Sequence, residues 1–346
     1  LEYKNVYRPV RVVSYDKESG ELVLHNYMDF DDLKDYVKIS YELTQDGLVI
    51  SKGILSEFSV ASHGEGKTNL KISVPENGKC YLKLIYYLKK EMPLLEENHI
   101  LGFDEIEVSQ KDAKCQLAEK WLEKTATDSE LQVNEDDTQI HIKGREFAYT
   151  IDRRTALFTE MKFAGREYLN HPMELNIWRA PTDNDMYIKA EWKKAHYDKA
   201  YTRAYTTEVV QGKHGVKIVS HASVVAETVQ KILDVTITWK IDASGKIDAD
   251  IEATKDGEFP DLPRFGVRMF LDKKLSDARY FGMGPQESYR DKHQAASHGL
   301  YRANVRDLHE DYIRPQENGS HYDCGYVELN NSRYGIVASA EKAFSF

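Results

Sequence analysis

Apolar and polar residues alternate with a period of two over most of the N-terminal third, which is the pattern of strands that bury one face. A Gln45-Asp46-Gly47 turn separates two such runs and predicts a hairpin. The apolar positions lie in four runs: 37–43, 48–50, 70–74 and 80–88. With turns at this spacing, residues 1–108 are predicted to form a small antiparallel sandwich of about 100 residues.

Residues 109–130 differ in composition from the chain on either side. They are polar and charged, contain good helix formers and lack a long apolar face. We interpret this stretch as a linker with one helical turn. The predicted organisation is therefore a first domain over 1–110, a linker over 111–130 and a second domain over 131–346.

The strand pattern returns at Leu131 and continues to the end of the chain. Its clearest hairpin joins Val235–Ile241 to Ile247–Ile251 through an Asp-Ala-Ser-Gly turn. The segment Lys189–Tyr205 is the best helical candidate. A mostly β region of over 200 residues is too large for a simple sandwich and predicts a large assembly of two sheets. The predicted fold class is all-β.

Composition disfavours some kinds of binding partner and favours one kind of cellular compartment. The formal net charge of −10 disfavours nucleic acid and anionic membranes, and no apolar run approaches the roughly 20 residues of a membrane span. The three cysteines, Cys80, Cys115 and Cys324, are far apart and form no CxxC pair, which favours a reducing, cytoplasmic compartment. The 22 tyrosines suit both a pleated, half-buried surface and stacking on sugar faces.

Common catalytic motifs are absent from the sequence. It has no G-x-S-x-G elbow, no H-E-x-x-H helix and no phosphate-binding P-loop. None of the twelve histidines pairs at ligand spacing with a third ligand nearby, and His293 and His298, five residues apart, would point in different directions on a strand or a helix. We therefore predict no metal site and no cofactor within this chain.

Three polar segments punctuated by glycine or proline stand out in the second region. Each has a structural interpretation: an Asx turn that caps a helix, a strand end with a tight turn, and a loop in which Arg314 pairs with Glu317. Each also has a functional one, since carboxylates at a sheet rim can accept hydrogen bonds from hydroxyls or hold a cation. The segments are NIWRAPTDND (Asn176–Asp185), YFGMGPQESYRD (Tyr280–Asp291) and YIRPQENGSH (Tyr312–His321).

In order and spacing these segments resemble the signature segments of the C-terminal domain of large bacterial β-galactosidases of glycoside hydrolase family 2. The opening Asn5–Asp16 (NVYRPVRVVSYD) resembles the start of the preceding domain. The resemblance implies that 1–110 is the fourth, immunoglobulin-like domain of a five-domain enzyme. It implies that residues from about 131 form the fifth domain, an incomplete supersandwich similar to galactose mutarotases.

The resemblance also assigns roles. It implies a retaining enzyme that hydrolyses terminal β-D-galactosides such as lactose, with the catalytic glutamates and magnesium ligands in a TIM barrel that this chain lacks. The segment Met186–Glu191 corresponds to a mobile loop at the active-site mouth, although the family's glycine is not matched. The residues expected at the active-site rim are Arg179, Asp183, Asn184, Asp185 and Tyr187. The residues expected in structural loops are Glu287, Arg290, Asp291, Arg314 and Glu317.

Three functions stay open on the sequence. The first is a non-catalytic scaffold of a β-galactosidase, with the barrel domain and the galactoside as partners and a homo-oligomer as the full-length state. The second is a free-standing mutarotase-like epimerase, which would need Glu287 to converge with His293 or His321. The third is a carbohydrate-binding module. Because the final residues Phe344-Ser345-Phe346 begin an alternation that stops, we expect the chain to be cut from a longer protein, with exposed strand edges near 326–346.

Overall fold

The computed structural model describes residues 2–111 and 131–346. Most of the predicted linker, from residue 112 onward, lies outside the described residues, as does Cys115. The described chain divides into two compact units. Unit one comprises 2–111, 276–310 and 318–346, and unit two comprises 131–275 and 311–317.

Antiparallel strands make up most of both units, which confirms the all-β fold class. The first strands are β1 (Val10–Tyr15), β2 (Glu21–Asn26), β3 (Val37–Gln45), β4 (Leu48–Leu55), β5 (Glu65–Asn69), β6 (Gly78–Leu88) and β7 (Ile100–Lys111). Those of unit two are β8 (Gln132–Glu135), β9 (Gln139–Lys143), β10 (Phe147–Asp152), β11 (Leu157–Phe163), β12 (Arg166–Glu167), β13 (Leu169–Asn176), β14 (Tyr201–Gln211), β15 (Gly215–Val225), β16 (Leu233–Asp242), β17 (Ile247–Lys255) and β18 (Gly266–Leu271). The last are β19 (Asp277–Gly284), β20 (Ser297–Asn304), β21 (Cys324–Asn330) and β22 (Gly335–Phe344).

Helices are short in the described part of the chain. The α-helices are α1 (Glu2–Val6), α2 (Leu33–Tyr36) and α3 (Ile188–Lys194). Single 3-10 turns cover Asp183–Asp185, Tyr197–Lys199 and Val305–Leu308. Among residues 2–111 and 131–346, none of these helices has the length and apolar character needed to cross a bilayer.

The first strands of unit one form a sandwich of two sheets, in the orders β1-β2-β5 and β4-β3-β6-β7. Leu22 and Leu24 of one sheet share a core with Leu43 and Leu82 of the other. This confirms the small antiparallel sandwich and the β3–β4 hairpin. The turn of that hairpin has positive φ at Asp46 and Gly47, as a two-residue hairpin turn requires.

One predicted run of this region is not a strand. Residues 70–74 pair with no strand among the described residues, and β5 ends at Asn69. Leu70 nevertheless lies in the core, and Ile72 and Val74 pack against it. The alternation of Leu70, Ile72 and Val74 therefore predicted correctly that these side chains face the core, although the segment does not pair as a strand.

Unit one also contains a four-stranded sheet from the end of the chain, in the order β20-β19-β21-β22. Its β20 begins beside the N-terminal sheet, since the Lys83 ammonium donates a 2.8 Å hydrogen bond to the Ser297 hydroxyl. Such contacts group these strands with residues 2–111 rather than with 131–275. The domain boundaries expected from the sequence stay a prediction, since a compact unit can combine distant parts of a chain.

Unit two contains three sheets, in the orders β12-β11-β10-β9-β8, β13-β18 and β14-β15-β16-β17. The predicted hairpin at 235–251 is confirmed as β16 and β17, with Ile237 opposite Ile251. Its Trp239 is buried, packs edge-on against Phe158 and donates a 2.8 Å hydrogen bond to the Ala156 carbonyl. Trp239 thus packs this hairpin against β11.

The helix predicted over Lys189–Tyr205 is confirmed only over about its first third, up to Lys194. Helix α3 ends at Lys194, and His196 then adopts a left-handed conformation that stops helical hydrogen bonding. From Tyr201 the chain is strand β14, paired with β15. The helix prediction was wrong there because the spacing of residues reports only local periodicity. It cannot show that β15 lies alongside and forms backbone hydrogen bonds with these residues.

Candidate functional site

The end of β13 leads into the first of the three motif segments, which we call the rim loop (residues 179–187). Asn176 shapes the approach, because its side chain donates to the Trp178 carbonyl at 2.8 Å and accepts from the Trp178 amide at 3.1 Å. These two hydrogen bonds hold the backbone between Asn176 and Trp178. Arg179 is directed back along the loop toward Asp185.

Arg179 and Asp185 form a bidentate ion pair. The guanidinium donates from Nε to Asp185 Oδ2 at 3.0 Å and from Nη2 to Oδ1 at 2.7 Å. The backbone amide and hydroxyl of Thr182 also donate to Asp185 Oδ2, at 2.9 and 3.1 Å. Arg179 is thus paired with a buried carboxylate. The Asx turn expected to cap the helix is replaced by a capping box, in which Thr182 is the N-cap of the 3-10 turn Asp183–Asp185 and Asp185 accepts from it.

Burial and hydrogen bonding act in opposite directions on Asp185. Only 7% of its side chain is exposed, and burial would raise the pKa of its carboxyl. The hydrogen bonds from Arg179 and Thr182 outweigh this effect, so the pKa of Asp185 is lowered. The carboxylate is therefore a charged anchor for the loop rather than a proton donor.

Two tryptophans pack beneath this anchor. The Arg179 guanidinium lies 5.9 Å from the ring centroid of Trp192, which meets Trp178 edge-on at 6.3 Å. Trp192, on helix α3, is buried and donates to the Asp261 carbonyl at 2.8 Å. The helix after the rim loop thereby supports the Arg179–Asp185 pair through packing.

The third motif segment braces the rim loop from a distant part of the sequence. Glu317 accepts from the Ala180 amide at 3.2 Å, and its own amide donates to the Ala180 carbonyl at 3.1 Å. Gln316 accepts from the Asp183 amide at 3.0 Å. The predicted Arg314–Glu317 pair is wrong: Glu317 pairs with Arg264, which the fold brings to it, while Arg314 is exposed.

The remaining rim residues face outward. Asp183, Asn184 and Tyr187 are exposed, with Tyr187 82% accessible. The segment expected to be a loop at Met186–Glu191 is partly helical, because α3 begins at Ile188. The structure thus gathers Arg179 and Asp185 into a buried anchor and presents the other three candidates to solvent.

The second motif segment lies in unit one and has a different character. Glu287 is buried rather than projecting from the sheet rim, with its carboxylate 2.5 Å from Lys292 Nζ. It also accepts from the Tyr289 hydroxyl at 3.2 Å and the Gly319 amide at 3.0 Å. Arg290 and Asp291 are exposed in the turn between Tyr289 and Lys292. These contacts favour a structural role for the segment.

One of the two histidines considered for the epimerase alternative is buried, and the other is partly exposed. His321 is fully buried, its Nδ1 lies 3.3 Å from the Met283 carbonyl, and its ring contacts Tyr280 and Phe346. Burial lowers the pKa of His321, and its Nε2 has no hydrogen-bond partner among the described residues. His293 Nδ1 lies 3.2 Å from the Tyr289 carbonyl.

Sequence reasoning missed the partners that hold these segments in place. Arg264 and Trp192 carry no motif of their own, and Gln316 lies in a motif segment that does not name its partner. Only the contacts in the fold reveal their roles. In the part of the chain that the structure describes, no three His, Cys, Asp or Glu side chains are arranged to hold a metal ion. The rim loop itself offers one ion pair, Arg179–Asp185, and the exposed side chains of Asp183, Asn184 and Tyr187.

Comparisons with known proteins agree with the motif segments. The profile of the family "Beta galactosidase small chain" matches residues 143–346, and that of "Beta-galactosidase, domain 4" matches residues 22–109. The β-galactosidase of Actinobacillus pleuropneumoniae is 39% identical over 348 residues, covering 100% of this chain and 33% of the relative. That of Staphylococcus xylosus is 29% identical, covering 100% of this chain and 34% of the relative.

The chain therefore spans about a third of the length of these relatives. The small-chain match alone covers more than half of the 346 residues. It includes all three motif segments, so the resemblance recognised in them is confirmed. This chain belongs to the β-galactosidase family, of which it carries domain 4 and small-chain sequence.

Proposed function

We propose that the chain is a non-catalytic scaffold of a β-galactosidase that hydrolyses terminal β-D-galactosides such as lactose. In this proposal a TIM barrel elsewhere in the enzyme supplies the catalytic carboxylates and the magnesium ligands. The rim loop shapes the entrance to the barrel's active site. The observation that carries the proposal is the design of that loop, a buried anchor with exposed polar and aromatic side chains.

The state of the candidate carboxylates supports a scaffold rather than a catalyst. Retaining hydrolysis needs a nucleophile and an acid/base about 5–5.5 Å apart, both able to reach the sugar. The motif carboxylates with low exposure are instead engaged by cations. The pairs are Arg179–Asp185, Arg264–Glu317 and Lys292–Glu287.

The exposed rim residues supply the chemistry that a galactoside entrance requires. Asp183 and Asn184 can exchange hydrogen bonds with sugar hydroxyls, and the Tyr187 ring can stack on an apolar sugar face. Since Trp192, Gln316 and Glu317 hold the backbone beneath them, these side chains are presented from an ordered support. A rim of this kind orients substrate without touching the scissile bond.

The first experiment tests catalysis by the chain itself. The purified protein is incubated with a nitrophenyl β-galactoside and magnesium, beside a complete β-galactosidase as positive control. We expect no release above buffer. Turnover that survives repurification and disappears in Glu287→Gln would contradict the scaffold proposal and place an active site in unit one.

Two further measurements separate the other functions. Titration calorimetry with galactose and lactose should give no saturable heat, whereas a carbohydrate-binding module would give it. NMR exchange spectroscopy of galactose anomers should show the buffer rate of interconversion. Faster exchange that is lost in His321→Gln would favour the epimerase.

The rim role is tested in a complete β-galactosidase that carries this region. Asp183→Asn and Tyr187→Ala should raise KM for nitrophenyl galactosides with little change in the melting temperature. Asp250→Asn, an exposed substitution on β17, is the control and should leave both unchanged. Unaltered KM in both rim variants would remove the entrance role.

We also propose that the complete enzyme is a cytoplasmic homo-oligomer. The two described cysteines, Cys80 and Cys324, are free and buried, which supports a reducing compartment. Light scattering of the complete enzyme and fractionation of the cells that produce it check the two parts. A monomer or an extracytoplasmic enzyme would contradict the corresponding part.

A further inference from the structure

A buried histidine in unit one lies between two carboxylates. His298 Nδ1 is 2.7 Å from Glu105 Oε2, and Nε2 is 3.0 Å from Asp323 Oδ2. The side chain is only 7% exposed. An ionised carboxylate accepts hydrogen bonds and cannot donate them, so both ring nitrogens must carry protons to satisfy this geometry. The arrangement of the two carboxylates therefore fits a doubly protonated, positively charged His298 ring.

The three residues come from separate elements of unit one. Glu105 lies on β7 of the N-terminal sheet, His298 on β20 and Asp323 just before β21. The Tyr81 ring, on β6, stacks on the imidazole at 4.0 Å with an interplanar angle of 5°. The Glu105 carboxylate also accepts from the His298 amide at 2.8 Å. One side chain thus connects the N-terminal sandwich to the C-terminal sheet.

The histidine belongs to a segment that is held along its length, which we call the strap (residues 294–300). Several hydrogen bonds join the strap to residues 2–111, and near the middle of the strap His298 forms an ion pair with Glu105. The others are Gln294 and Ala295 amides to Glu2, Asn5 to the Gln294 carbonyl, Lys83 to Ser297, and the Leu300 amide to the Gly47 carbonyl.

We propose that Glu105, His298 and Asp323 form a pH-sensitive clasp that fastens the strap to the N-terminal sheet while His298 is protonated. Loss of the proton leaves a neutral ring with one N–H group between two carboxylates. One carboxylate then faces a lone pair in a buried site, which is unfavourable. The clasp therefore weakens as pH rises, and the N-terminal sandwich and C-terminal sheet lose their mutual support.

The charged groups around the clasp belong to every element packed against it. Glu105 and Asp323 face the ring directly, and Tyr81 covers one side of it. Three basic and three acidic groups interact electrostatically with the clasp or with the residues packed against it. The basic groups are Lys79, Lys83 and His293, and the acidic groups are Glu42, Asp46 and Glu107. Of the basic groups, Lys83 is engaged by the Ser297 hydroxyl.

The electrostatics agree with the geometry. Burial opposes the charged ring, yet hydrogen bonds to Asp323 and Glu105 outweigh it and raise the pKa of His298 to about 9. The hydrogen bond from His298 lowers the pKa of Asp323. Because the folded-state pKa lies above the ordinary value of about 6.5, the stabilisation is complete below that pH. It declines above it and is lost as pH rises through about 9.

The experiment follows the proton and the stability together in the intact chain. Histidine labelled with 15N reports the protonation of each ring nitrogen by NMR. We expect both nitrogens of His298 to be protonated at pH 7, with a titration midpoint well above the ordinary histidine value of about 6.5. His99, which is exposed in the same unit, provides the control substitution. Thermal unfolding is measured from pH 6 to pH 10 for wild type, His298→Gln and the control His99→Gln.

We expect His298→Gln to melt below wild type at pH 6–7, and the difference to shrink by more than half at pH 10. His99→Gln should follow wild type throughout. A constant difference at every pH, or a His298 midpoint at or below about 6.5, would overturn the proposal. If His298→Gln does not fold, the titration of the wild-type protein decides alone.

Discussion

Arg179 and Asp185 are joined by two parallel hydrogen bonds, of 3.0 and 2.7 Å, across the turn that begins the rim loop. A fork-to-fork pair of this kind fixes both the distance and the orientation of the two side chains. With Thr182 donating to the same carboxylate, Asp185 becomes the point at which the loop is fastened. The hydrogen bonds to Asp185 therefore hold the turn from which Asp183 and Asn184 are exposed to solvent.

Substitution of the buried Asp185 should destabilise the protein far more than substitution of the exposed Asp183. Asp185→Ala leaves the Arg179 guanidinium, whose side chain is 19% exposed, without its carboxylate, and we expect a loss of about 3 kcal/mol in the free energy of unfolding. Asp183→Ala, two residues away and exposed, should change it by less than about 0.5 kcal/mol. Urea unfolding of both variants checks this, and equal losses would show that the anchor is misassigned.

The same carboxylate should contribute to acid sensitivity. Its pKa is lowered in the folded state, because the hydrogen bonds that favour the charge outweigh burial. The stabilisation is present above the unfolded pKa of about 3.9 and is lost as pH falls through the lower folded value. Asp185→Asn, which cannot titrate, should show a smaller decline in urea midpoint between pH 6 and pH 3 than wild type. An unchanged decline would contradict the assignment.

The brace from the third motif segment should be visible in amide exchange. Glu317→Gln removes the charge that pairs with Arg264 and accepts from the Ala180 amide. We expect faster hydrogen exchange at Ala180 and Asp183, measured by mass spectrometry of peptides that cover the rim loop. Glu258→Gln, an exposed substitution in the same unit, is the matched control. Wild-type protection in Glu317→Gln would mean that the brace does not hold the loop.

The C-terminal sheet offers an edge for association. Strand β22 (Gly335–Phe344) pairs only with β21 in the described chain, and unpaired edges attract other strands. We expect self-association that increases with protein concentration in light scattering. Val337→Lys, which puts a charge on this strand, should reduce it. A strict monomer at all concentrations would contradict this prediction.

The alternation of residues predicted the strands because it depends only on local geometry. Successive side chains of a strand point to opposite faces, so the hairpins at 37–55 and 235–251 could be located from their apolar positions and turns. Where the pattern was ambiguous, tertiary contacts decided. Leu70, Ile72 and Val74 pack into the core without a ladder, and Tyr201–Tyr205 joins a strand instead of extending helix α3.

The candidate site divides in the same way. The motif residues marked where the rim loop and its brace lie, and the Arg179–Asp185 pair could be anticipated because its members are six residues apart. The partners of Glu317 and His298 could not. Arg264 lies 53 residues from Glu317, and Glu105 lies 193 residues from His298.

By itself, the sequence determined the all-β class, most strand positions and the family, because these depend on local periodicity and on short motifs. Tertiary structure alone decided that Glu317 braces the rim loop and that His298 is clasped between Glu105 and Asp323. The physical reason is that the charge state and strength of a buried ion pair depend on the surroundings of both members. The fold assembles those surroundings from segments that are remote in the chain.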